Sequence, residues 1–76
     1  MKTRYYRVDG FDRRLKTAIA QSNLTVTEVQ RKSGVSRSNM WGYMFDGVSP
    51  SAYTVKRLAI TLNVSADYLL GIEGKK

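Results

Sequence analysis

The side chains with most to offer chemically lie together in GVSRSNMWGYM, residues 34–44, where Arg37, Ser38 and Asn39 follow one another and Trp41 and Gly42 come next. A guanidinium, a hydroxyl and a carboxamide do not break bonds unaided. They donate and accept hydrogen bonds in defined directions, which suits reading a polar edge or holding an anion. Catalysis has little to draw on. The chain has no cysteine and no histidine, which removes thiolate nucleophiles, disulfides, the commonest zinc ligands and the commonest general base. Of its six carboxylates, Asp9, Asp12, Glu28 and Asp67 fall at helix caps or first turns, Asp46 lies in a turn and Glu73 in the tail, so no acid and base pair is left. GIEGKK resembles a phosphate loop only superficially, because the spacing, a hydroxyl after the lysine and a preceding strand are all missing. The expectation is a protein that is not an enzyme and carries no metal or cofactor.

Thirteen Lys and Arg against six Asp and Glu give the 76-residue chain a net charge of +7, which favours a polyanionic partner. Its apolar runs are far shorter than the roughly 20 residues that span a bilayer, so no membrane partner is expected and the expected location is cytoplasmic. A chain of this length is one domain that buries only about 60% of its unfolded surface, too little to enclose a small-molecule ligand deeply.

The elements that must position residues 37–42 are helices. Residues 1–8, MKTRYYRV, alternate basic and aromatic types without helical periodicity and form an arm. A first helix opens near Asp9, with Phe11, Leu15, Ala18, Ile19 and Ser22 on its inward stripe, and Asn23 breaks it. TVTE, Thr25 to Glu28, is a capping box that starts a second helix at Val26, and Gly34 closes it in the place of a left-handed cap. Ser36 caps a third helix from Arg37 to about Phe45. Ser51 follows Pro50 and caps a fourth, whose stripe is Ala52, Val55, Leu58, Ala59 and Leu62. Ser65 caps a fifth from Ala66 to Leu70, closed by Gly71. The predicted organisation is an all-α, compact five-helix domain over 9–71, with the arm before it and a tail, 72–76, after it.

Two short helices joined by Ser33–Gly34–Val35–Ser36 match a helix-turn-helix, in which the second helix enters the DNA major groove and its N-terminal residues reach base edges. Val29, Val35, Met40 and Tyr43 would be its core contacts, with Met44 also inward. From Phe11 to Gly71 the sequence resembles the Cro/CI-type, or XRE-type, helix-turn-helix domain of phage repressors and bacterial regulators, most clearly in GVSRSNM and LNVSADYLLG. The resemblance implies a lambda repressor-like fold that binds double-stranded operator DNA, usually as a homodimer. It places base-contacting positions on Arg37, Ser38 and Gly42, flanked by Asn39 and Trp41. Where relatives often place a phosphate-binding glutamine this chain has Val26, which passes that contact to Thr25 or Thr27. Where they often pair an arginine with a glutamate it has Ile19 and Met44, an apolar contact instead. The loop DGVSPS lacks the basic residues common in the family, so backbone contacts fall to Ser36, Ser49, Ser51 and helix N-termini.

Several assignments keep two readings. Trp41 either lies against sugar or a thymine methyl, beside a Gly42 that faces the groove without a side chain, or packs under the arm or in a dimer interface. Lys2, Arg4 and Arg7, with Tyr5 and Tyr6, either follow the DNA backbone or belong to an ordinary terminus. Leu69, Leu70 and Ile72 either form the dimer interface or cap the core. The rival functions are a protein-interaction module, antitoxin-like or adaptor-like, that uses Trp41, Tyr43 and Phe45 as an aromatic face, and binding of RNA or single strands through stacking aromatics.

Overall fold

In a computed structural model, which describes Val8 and residues 10–72, five helices follow one another: α1 (Phe11–Gln21), α2 (Val26–Ser33), α3 (Arg37–Phe45), α4 (Ala52–Leu62) and α5 (Ala66–Leu70). No strand occurs among the described residues. Four of the helices start on a hydroxyl that accepts the amide of the third helical residue: Glu28 N–H to Thr25 Oγ1 at 3.1 Å, Asn39 to Ser36 Oγ at 3.2 Å, Thr54 to Ser51 Oγ at 3.2 Å and Tyr68 to Ser65 Oγ at 2.9 Å. Each bond satisfies one of the free N–H groups of a first turn, worth about 1 kcal/mol. The start of α1 differs. It follows Gly10, which has left-handed backbone and offers no side-chain cap, and Asp9 lies outside the described residues.

The core takes one fully buried side chain from each helix, Leu15, Val29, Met40, Leu58 and Leu69. α3 packs on α1, where Phe11 meets the edge of Tyr43 with ring centroids 6.0 Å apart and planes at 88°. α2 packs on α4, and α5 closes the domain against α1 and α4. Ile19 and Met44 are both buried in this core, where an apolar surrounding needs no ion pair. Two sequence expectations fail here. Ala52 is exposed, because the first turn of α4 projects beyond the core, and Ser22 is only half-buried, its hydroxyl donating to Ile19 O at 2.7 Å and accepting from Leu24 N–H at 3.0 Å.

The angle between α2 and α3 is set at Gly34, where φ is +79° and the N–H donates to Gln30 O at 2.9 Å. Nothing lies within 4 Å of a Cβ built on it, so the backbone alone demands glycine there. The consequence is a substitution pair that isolates strain from packing. Gly34→Ala should lower the stability to urea by about 1–2 kcal/mol, the cost of a left-handed alanine, while Gly34→Asn, which tolerates that conformation, should lose clearly less.

Candidate nucleic-acid interface

The turn is held from two directions. Ser33, only 2% exposed, accepts Val35 N–H on its hydroxyl at 3.2 Å, and Arg57 reaches across from α4 to the carbonyls that end α2. Its Nε donates to Ser33 O at 3.0 Å and its Nη2 to Lys32 O at 3.5 Å. A cation on terminal carbonyls satisfies acceptors that the helix cannot, and it faces the negative end of the helix dipole. Arg57 has no role on sequence grounds alone. The signal available was its place between Val55 and Leu58, two inward positions of α4.

With α2 and α4 so fixed, α3 lies with Met40, Tyr43 and Met44 inward. Arg37, Ser38 and Asn39 are exposed in its first turn. No acidic side chain occupies that turn, nor the first turn of α4, whereas α2 has Glu28 in its own. The N-termini of α3 and α4 therefore keep an uncompensated positive pole for an anion, and that of α2 does not. Trp41 is half-exposed and stacks, tilted, on the equally exposed Phe45 with centroids 4.5 Å apart. The Lys16 ammonium on α1 sits 4.9 Å over the Phe45 ring. The expected aromatic face thus loses Tyr43, which turns inward against Phe11. A cleft of about 220 Å³ between α2 and α3 runs beside this pair and is lined by Thr27, Gln30, Arg37, Trp41 and Phe45 among others.

Gly42 does not present bare backbone to the outside. It is buried, and a Cβ built on it would stand 3.2 Å from Cγ2 of Val48 and 3.5 Å from its Cβ. The loop after α3 folds back and covers it, so the helix-propensity gain of Gly42→Ala is opposed by a contact that Val48 would have to relieve. The expectation of an open, groove-facing glycine is corrected on this point.

A buried-faced α2, a three-residue turn that opens on the left-handed Gly34 and an α3 with a polar exposed first turn decide the architecture. The fold is a helix-turn-helix domain. The chain is similar in structure to the restriction-modification controller protein C.AhdI from Aeromonas hydrophila, with a TM-score of 0.73 and 22% sequence identity over 82% of this chain and 94% of that one. No family model matches the chain, and no curated protein does.

Within the helix-turn-helix domain the other sequence-predicted positions are placed unevenly. Thr27 is exposed at the cleft, but the Thr25 hydroxyl is engaged in the capping box. The Ser36 hydroxyl caps α3, and that of Ser51 caps α4 while donating to Thr54 Oγ1 at 3.1 Å. Ser49 is exposed and its Oγ accepts Val8 N–H at 3.1 Å, which ties the loop to the start of α1. Lys2, Arg4 and Arg7 lie outside the described residues. Leu69 is not available to a partner: it is fully buried, because α5 points it into the core, whereas Leu70 is half-buried and Ile72 is 51% exposed. Among the described residues no group of three or more acidic side chains could hold a metal ion, and no helix is long and apolar enough to cross a membrane.

The capping box also makes the domain sensitive to acid. The Glu28 carboxylate accepts Thr25 N–H at 2.8 Å, and this bond, helped by the Thr25 hydroxyl and by Lys32 and Arg31, outweighs desolvation and holds it below its ordinary value of 4.5. A carboxylate depressed by folding stabilises the native state above its unfolded pKa, and that contribution disappears as pH falls through the lower, folded value. Urea melts of Glu28→Gln and the parent chain should differ most above pH 4.5 and converge as the medium is acidified below it.

Proposed function

We propose that this chain is a sequence-specific, double-stranded DNA-binding transcriptional regulator, a repressor that acts in the cytoplasm by occupying an operator with α3 in the major groove. The observation that carries the reading is the first turn of α3. There Arg37, Ser38 and Asn39 are exposed together, with no hydrogen bond from their side chains to any described residue, on a helix end that has no acid to balance its dipole. Side chains of these types pair with guanine, with either partner and with adenine respectively. The +7 net charge supplies the sequence-independent attraction, and C.AhdI, which shares the fold, is a restriction-modification controller protein.

Affinity on this reading comes from phosphates and specificity from α3. The backbone contacts fall to the N-termini of α3 and α4, to Ser36, Ser49, Ser51 and Thr27, and to the arm cations Lys2, Arg4 and Arg7. Thr25 is the weakest of the expected set, since its hydroxyl and the nearby Glu28 charge both serve the cap. Half-exposed Trp41 and Phe45 favour one second reading, a protein-interaction surface of adaptor type, with Lys16 and Arg37 beside them to meet an acidic partner.

Selection from random duplex DNA decides between the two, because a regulator enriches a defined sequence and an adaptor enriches none. On the enriched duplex, Arg37→Ala should weaken binding by about 1–3 kcal/mol and relax preference at one base pair, as loss of a bidentate arginine–guanine contact does. Equal losses on every sequence would instead make Arg37 a phosphate contact.

The proposed assembly is a homodimer whose interface uses Leu70 and Ile72, the members of the predicted apolar set that keep accessible surface. Two-fold symmetry then requires half-sites one helical turn apart, roughly 34–36 Å, in an approximately palindromic operator. Footprinting should show paired protections at that spacing, and light scattering a dimer on the duplex; one asymmetric protection with a monomer would exclude this assembly.

A further inference from the structure

We propose that Val48, from the loop after α3, supplies the base-reading side chain that Gly42 lacks, and that it reads the C5-methyl of a thymine. The inference rests on the DNA-binding reading above and deepens it. At about 100° per residue, Ser38, Trp41, Gly42 and Phe45 fall on one side of α3, opposite Met40, Tyr43 and Met44, with Arg37 at the edge of that side. Gly42 is therefore the place in the second turn where a side chain would meet what Ser38, one turn earlier, meets. The volume of that missing side chain is taken by Val48, whose Cγ2 comes within 3.2 Å of a Cβ built on Gly42.

The loop is held in this position by its backbone. Val48 N–H donates to Gly42 O at 3.1 Å, sharing that carbonyl with Asp46 N–H at 3.0 Å, and the left-handed φ of +72° at Gly47 permits the reversal between them. On the far side, the bond from Val8 N–H to Ser49 Oγ ties the next residue of the loop. Val48 nevertheless remains 49% exposed, so this apolar residue stays open to solvent where it covers Gly42. A valine has no hydrogen bond to give a base edge. The one apolar feature that the major groove displays is the thymine methyl, and that defines the partner.

The test replaces single thymines of the enriched duplex by deoxyuracil, which deletes only the methyl, and compares affinities for the two duplexes within each protein variant. That ratio cancels any change in the fraction of folded protein. The expected result is one thymine per half-site whose replacement costs the parent chain roughly fourfold, the worth of one buried methyl-sized group. Val48→Ala should bring the ratio at that thymine to about one, Val48→Thr, which keeps the shape, should reduce it, and Trp41→Ala should leave it in place. A ratio that survives in Val48→Ala, or that is lost only in Trp41→Ala, overturns the assignment while the DNA-binding reading stands on the enriched duplex itself. If no duplex sequence is enriched, that reading falls and the assignment falls with it.

Discussion

Leu15, Val29, Met40, Leu58 and Leu69 are all withdrawn from water, and each comes from a different helix. A domain this small has no second core to fall back on, so the orientation of every helix is fixed by one shared set of contacts. Truncating a buried leucine to alanine costs about 2–5 kcal/mol, a large part of the roughly 5–15 kcal/mol that holds a domain folded. The placement of α3 follows directly. Once Met40 is in this core, with Tyr43 and Met44 beside it, the rotation of the helix about its axis is determined. Ser38 then has no alternative but to face outward, and Arg37, the first residue of the helix, is exposed at its end.

A shared core fixes rotation more firmly than it fixes the angle between α2 and α3, and here polar chemistry enters. Gly34 makes the bend possible, the buried Ser33 hydroxyl holds Val35, and Arg57 connects α4 to the last carbonyls of α2. Hydrogen bonds to a charged donor contribute more than neutral ones, about 1.5–3 kcal/mol each. The Arg57 bond to Ser33 O does so at a half-buried position where water competes poorly. The fourth helix thus holds the turn from its middle, at Arg57.

What could be read from the sequence was whatever depends on near neighbours. The capping hydroxyls of Thr25, Ser36, Ser51 and Ser65 and the turn at Gly34 are determined by a few consecutive residues, and the helix limits follow from them. Helical spacing likewise separated Met40 and Tyr43 from Ser38. The burial of Leu69, the engagement of Arg57 and the covering of Gly42 depend instead on which distant segment arrives alongside. Leu69 and Leu70 are adjacent in a helix of five residues, too short for periodicity to tell the inward one from the half-exposed one. The cover on Gly42 comes from a loop whose path no repeat or cap announces.

The aromatic pair explains how α3 tolerates its glycine. Nine residues with a glycine in the second turn make a helix that is weak on its own, since glycine costs about 0.5–1 kcal/mol relative to alanine. Trp41 and Phe45 are four residues apart, and an aromatic or apolar pair at that spacing returns about 0.2–0.5 kcal/mol. Lys16 over the Phe45 ring adds a cation–π contact of about 0.5–1 kcal/mol at an exposed site, and it attaches the end of α3 to α1. These terms together offset the glycine without placing any atom where Val48 sits. The exposed aromatics are therefore accounted for structurally before any partner is invoked, and the second turn of α3 is left free to accept its outward side chain from the loop.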